Sequence, residues 1–209
     1  TYNKIIYNLK KSKKNKKNNF YKSNYFIYSL LIYTRVENME SISKENFCNA
    51  FEKILKVTPA PGILLLSGVP DKKENLITIG WLQFGVLWNL PTVNVFIRKS
   101  RYSSKLLSEN GEFTLNYMDP VLFKDVLSKC ANMSGSYCDK FTETSLTKIR
   151  SKTVGVSSLA EAQLVVECKT LFRNQIGPDN LSDIVLNKYY SDGDYHDLII
   201  AQITNIREK

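Results

Sequence analysis

Hydrophobic and polar residues alternate in distinct registers along this chain, and the registers predict its elements. Phe47, Ala50, Phe51, Ile54 and Leu55 recur at the spacing of one helix face, behind Ser43 as N-cap. The turn Pro59-Ala60-Pro61-Gly62 ends that helix. Ile63 to Leu66 is a continuous apolar run closed by Gly68, the pattern of a buried strand. The polar turn Asp71 to Asn75 leads into a second strand, Leu76 to Trp81, as a hairpin with a long loop. Thr92 to Arg98 alternates, with Val93, Val95 and Ile97 on one face. Ser104 to Glu109 reads as a short helix, and Glu112 to Tyr117 as a strand with Phe113 and Leu115 on one side and Thr114 and Asn116 on the other. Pro120 is expected to open a helix carrying Val121, Leu122, Val126 and Leu127. Leu164 to Phe172 and Leu198 to Ile206 are the last long strands. At least six strands with no βαβ rhythm predict a mainly β protein, an antiparallel barrel with inserted helices.

Charge divides the chain unevenly. The net charge is +9, but residues 1–38 hold eight Lys, one Arg and one Glu, so the remainder is nearly neutral. The overall basicity therefore gives no case for nucleic acid as the partner of the folded part. Residues 1–24 have the Lys/Asn/Tyr composition of a solvated segment. The apolar run Tyr25 to Tyr33 is shorter than the roughly 20 residues that cross a bilayer, so no membrane partner is expected. The first Met is Met39, and ordinary domain composition begins there. The expected division is a disordered or extraneous basic segment at 1–38 and one domain at 39–209; a targeting segment is the remaining reading of the first part. Cys48, Cys130, Cys138 and Cys168 form no CxxC and no metal-ligand spacing, which suits a reducing, cytoplasmic setting and argues against a zinc site.

Candidate chemistry concentrates in Arg98-Lys99-Ser100-Arg101-Tyr102-Ser103, between a strand and a helix. Helix N-termini carry unpaired N–H groups and attract anions, arginines add bidentate contacts, and serines add hydroxyl donors. Ser100 is expected to cap the helix that begins near Tyr102. An ordinary solvated basic turn is the other reading of the same residues. Gly-rich loops of the Walker or dinucleotide type are absent.

The order of short motifs adds a resemblance. Pro59-Ala60-Pro61 is followed by Leu76-Ile77-Thr78-Ile79-Gly80-Trp81, Phe84-Gly85-Val86-Leu87-Trp88 and Pro91. The basic turn, Phe113-Thr114-Leu115-Asn116, Ser134-Gly135 and Asp139-Lys140-Phe141 come next. This set resembles the flavin reductase-like family of FMN-binding split barrels over about residues 57–206. The resemblance implies a six-stranded antiparallel split β-barrel, a homodimer, and FMN near the subunit interface. It implies hydride transfer from NADH or NADPH to flavin and on to an acceptor it does not identify; a non-enzymatic FMN electron carrier is the alternative. It places Thr78, Ile79 and Trp81 along the flavin ring, and Arg98, Ser100, Arg101, Tyr102 and Ser103 on the ribityl phosphate. Asn116 would close the pocket, and Lys140 would approach the phosphate or the pyrimidine edge. The sequence departs from the family at Ser103, where Thr is common, at Ala131, where Gly is common, and at Ala201-Gln202, where Gly-Glu is common. His196, the one histidine, is a candidate catalytic residue or a strand-start residue.

Overall fold

The structure is a computed structural model that describes residues 42–70 and 72–209. The expected basic segment at 1–38 lies outside the described residues. Helix α1 (Lys44–Leu55) starts where Ser43 Oγ accepts from Asn46 N at 3.0 Å, and buries Ala50 and Ile54. Strands β1 (Ile63–Val69), β2 (Lys73–Ile79), β3 (Leu82–Leu87) and β4 (Leu90–Arg98) follow. Helix α2 (Tyr102–Asn110), β5 (Glu112–Tyr117), α3 (Lys124–Asn132) and α4 (Lys140–Thr144) come next. Two short strands, β6 (Lys148–Ile149) and β7 (Ser158–Leu159), precede β8 (Leu164–Gln175), α5 (Asp183–Tyr189) and β9 (His196–Glu208).

The main sheet is antiparallel, seven-stranded, and ordered β2-β1-β5-β8-β9-β4-β3. Its edge strands β2 and β3 are consecutive in the chain, joined only by Gly80 and Trp81. Such a link spans roughly 10 Å at most. The sheet therefore curls until its two edges meet at that link, which makes it a barrel split along the rest of the seam. The antiparallel split barrel expected from the sequence is what forms, with one strand more than six in its main sheet. Gly80 lies where a Cβ would meet Pro59 O at 2.1 Å, so the seam needs a residue without a side chain.

Two cores explain the run in β1. Ile63 and Leu65 face the barrel interior with Val93, Val95, Phe113 and Leu115. Leu64 and Leu66 face the other way, against Leu127, Cys130, Val156 and Leu159. Both faces of the strand are buried, so its sequence does not alternate. In β5 the same sandwiching holds polar residues. Thr114 Oγ1 donates to Ser157 O at 2.9 Å, and Asn116 Oδ1 accepts from Leu159 N at 2.9 Å.

Three elements depart from the pattern read in the sequence. Strand β3 was absent from that pattern because its hairpin turn is Trp88-Asn89, both at positive φ (53° and 58°), in place of the glycine-bearing pairs that signal such turns. Helix α3 begins at Lys124 and not at Pro120: Asp119 Oδ1 accepts from Val121 N and Leu122 N, holding them in a turn that leaves both side chains exposed. Helix α5 buries none of its residues, so no apolar stripe announced it.

Candidate functional site

The start of α2 meets β2 and the α3–α4 connection around a cavity of about 110 Å³. Five of the expected residues line it: Ser100, Arg101, Tyr102, Ser103 and Lys140. The backbone N–H groups of Tyr102 and Ser103, in the first turn of α2, have no partner within the helix by its geometry. Arg101, and not Ser100, is the N-cap, and no side chain caps the helix. The Ser100 hydroxyl is occupied elsewhere: it donates to Asp194 Oδ2 at 2.6 Å. Ser103 is fully buried and its Oγ accepts from Asn75 Nδ2 at 2.8 Å. Asn75 in turn lies against Gly135, where a Cβ would stand 2.0 Å from Asn75 Oδ1. The glycine lets the α3–α4 connection close over β2, and the cavity is the space left beneath it.

Lys140 is the unusual residue here, only 3% exposed. Its ammonium donates to Leu76 O at 2.7 Å and to Cys130 O at 2.9 Å. Burial lowers its pKa from the ordinary lysine value, and the Arg101 guanidinium lowers it further. An ammonium has three donors, and two carbonyls account for two of them. Burial also pushes the neighbouring Cys130 thiol up to about 11, so it is protonated and unreactive at neutral pH.

The bond from Lys140 to Leu76 O also fixes the orientation of β2. Among the described residues β2 pairs only with β1, and Leu76 turns its carbonyl to the side away from β1. Thr78, two residues on, turns the same way by the strand's period, and presents its N–H at the open edge. Its side chain is used internally, donating to Leu127 O at 2.7 Å. Ile79 points into the barrel core.

The remaining expected residues lie elsewhere. Arg98 is directed to the loop after α5: Nη1 donates to Asp194 O (2.8 Å) and to both carboxylate oxygens of Asp192 (3.2 and 3.1 Å), and Nη2 donates to Tyr189 O (2.9 Å). Its guanidinium thus holds a loop and does not line the cavity. Asn116 is 0% exposed and bonded within β5 and to β7, so it lines no part of the cavity either. Trp81 packs on His196 (centroids 4.7 Å) and Tyr189 (5.3 Å, perpendicular) and lines a separate apolar cleft of about 420 Å³.

His196 is paired in register with Arg98 and its Nδ1 lies 3.0 Å from Tyr190 Oη. Burial, and secondarily the Arg98 guanidinium, lowers its pKa to about 4. The imidazole is neutral at neutral pH and serves as a packed, hydrogen-bonded ring. Sequence reasoning missed Asn75 and Met133 in the cavity wall. The offset of Asn75 by two from Ile77 on one strand was the signal that could have found it. Among the described residues no cluster of His, Cys, Asp and Glu is arranged to hold a metal, and no helix is long and apolar enough to cross a membrane.

Among the described residues the cavity lining carries two cations, hydroxyls and helix N–H groups, and no carboxylate. That donor set fits a phosphate ester. Beside it runs β2, an edge strand of the sheet among the described residues, whose Thr78 N–H faces away from β1 by the strand's period. Residues 58–209 match the family described as the flavin reductase-like domain. The chain belongs to that family. An uncharacterised protein of Archaeoglobus fulgidus is 33% identical over 123 residues, which are 59% of this chain and 67% of the relative. The flavoredoxin of Desulfovibrio vulgaris (Miyazaki F) superposes with a TM-score of 0.56 at 20% identity, over 71% of this chain and 69% of that one. An FMN-binding protein of Thermus thermophilus, solved with bound 1-cyclohex-2-enone, superposes with a TM-score of 0.54 at 22% identity, over 72% of each chain. These two structures share the fold.

Proposed function

We propose that this chain binds FMN and passes electrons taken from NADH or NADPH to an acceptor. One observation carries the reading: an anion cavity of Arg101, Lys140, Ser103 and the α2 N–H groups, with no carboxylate, opens beside the free edge of β2. Arg101 and Lys140 would hold the phosphate, and the Thr78 N–H would meet the ring. A cavity of about 110 Å³ suits the phosphate end alone, since ligand-sized clefts begin at roughly 300 Å³. The ring system would therefore lie along β2, toward Trp81. FMN, when bound, supplies hydride acceptance at N5 and onward electron release. The chain's own part would be to fix the phosphate with Arg101 and Lys140, and to place strand N–H groups where they stabilise negative charge on a reduced ring.

A second reading, a non-enzymatic electron carrier, is favoured by the cleft beside Trp81. Its lining of Trp81, Phe96, Ile176, Leu181, Val185 and Tyr190 includes no charged side chain, and so offers no handle for the phosphates of a nicotinamide dinucleotide. The proposal includes a homodimer, supported by the exposed Val86, Leu87 and Trp88 of the β3–β4 hairpin, and a cytoplasmic setting, which the four free cysteines suit. The purified protein is expected to take up FMN and turn yellow. Anaerobic addition of NADH or NADPH should then bleach it. A protein that takes up FMN but keeps its colour with both donors is the carrier, and one that takes up no flavin refutes both readings.

A further inference from the structure

The first turn of α2 lines the phosphate cavity, and no side chain caps it. The direction of its free N–H groups therefore depends on how the turn is fastened to the sheet. On the cavity side the fastening is the bond from Asn75 Nδ2 to Ser103 Oγ. A second fastening is built on Ser104, the next residue, which is 2% exposed and does not line the cavity. Its Oγ donates to Asp197 Oδ2 (3.0 Å) and accepts from Arg173 Nη2 (2.7 Å). Its carbonyl accepts from Arg173 Nη1 (3.0 Å). Arg173 Nη2 and Asp197 Oδ2 close the triangle as a direct ion pair. Arg173 also donates to Ser108 Oγ, one turn further along α2.

The other two members of the triangle stand on neighbouring central strands of the sheet. Arg173 of β8 is in register with Ile199 of β9, so Asp197 is its diagonal neighbour, two residues along β9 on the same face. Asp197 is 5% exposed. A charge pair this dry adds little net stability, because desolvation offsets its attraction. What it supplies is direction: the guanidinium fork holds the Ser104 hydroxyl and carbonyl together, and the carboxylate orients that hydroxyl. We propose that Arg173 and Asp197 are positioning residues for the phosphate cavity. Acting through Ser104, they hold the first turn of α2 so that the Tyr102 and Ser103 N–H groups converge on the phosphate. Neither residue lines the cavity. The pair thereby sets how strongly the site prefers a phosphorylated flavin to an unphosphorylated one. This inference rests on the flavin reading above and adds the residues that govern that preference.

The test measures FMN and riboflavin affinities by quenching of flavin fluorescence, in the full chain and in its Asp197→Asn and Ser104→Ala variants. Riboflavin lacks the phosphate, so the ratio of the two affinities reports the phosphate cavity. The unaltered chain should favour FMN. Asp197→Asn should lower the ratio about tenfold, within the range that a helix N-terminus contributes to a bound anion, and should change riboflavin affinity by less than about twofold. Ser104→Ala removes one hydroxyl and leaves the ion pair, and should lower the ratio about threefold. It decides the matter if Asp197→Asn does not fold, which circular dichroism at the titration temperature shows. Equal losses for FMN and riboflavin are the mark of a merely structural role and overturn the positioning. An unchanged ratio in a folded variant overturns it as well, and leaves FMN binding in place. An unaltered chain that quenches neither flavin removes the flavin reading itself.

Discussion

Arg98 and Arg101 stand three residues apart in one basic turn, and the structure gives them different work. Replacing Arg98 by Ala removes the donor to Asp194 O, in the loop after α5, and to Tyr189 O, at the end of α5. Hydrogen bonds from a charged donor contribute about 1.5–3 kcal/mol when buried, and less where water replaces them. The Asp194 carbonyl bond is partly buried and the Tyr189 one is exposed. The Asp192 carboxylate is at the surface, where its pair with Arg98 is screened by water and adds little. The expected destabilisation is about 1.5–3 kcal/mol, or roughly 3–12 °C in Tm for a domain of this size. Flavin affinity should change by less than about threefold, because the guanidinium does not line the phosphate cavity. Thermal unfolding followed by circular dichroism and flavin titration of the same sample measure both quantities. A variant with unchanged Tm and flavin binding weakened tenfold or more would show that Arg98 leaves its loop to hold phosphate, and the division of labour would be wrong.

The complementary change, Arg101→Ala, should weaken FMN by about 1–3 kcal/mol with little effect on Tm; unaltered affinity would remove Arg101 from the phosphate. His196 gives a pH dependence with a definite sign. Its folded pKa of about 4 lies below the ordinary 6.5, so the unfolded chain binds the extra proton between those values. Stability should fall as pH drops through 6.5, with the loss complete near 4 and about 3 kcal/mol at most. His196→Gln should flatten that part of the curve, and an unchanged slope would contradict the burial argument. Glu167 is 1% exposed. Burial opposes its charge, but donors from Lys152 N, Thr153 N, Thr153 Oγ1 and Asn205 Nδ2 outweigh burial and lower its pKa below the usual 4.5. Glu167→Gln puts an amide NH₂ among those donors. It should cost about 2–4 kcal/mol in chemical denaturation at pH 7. That difference should shrink as pH falls below 4.5, because protonation of the native carboxyl removes the same contribution.

The sequence by itself determined the strand-rich class, the barrel and the family. Alternation in β4 and β5 follows from the two-residue period of a strand, the continuous run in β1 from burial of both its faces, and the ordered short motifs are local in the chain. The basic turn was also legible as a candidate anion site, because a helix start with arginines and serines carries that chemistry in its own residues. Which of those residues face the anion was not legible. Arg98 and Ser100 are claimed by Asp192 and Asp194, more than ninety positions away in the chain, and no spacing rule connects carboxylates at that distance. Asn116 read as a pocket residue because it sits on the polar side of an alternating strand. Only the packing of residues 157–159 over that side made it a buried anchor. Lys140 was expected at the site from the Asp139-Lys140-Phe141 motif, but its burial between two carbonyls, one of them at the edge of a strand sixty-four positions earlier, was not legible in the sequence. The chain specified which groups were available, and the curl of the sheet decided which of them were left with a bond to give.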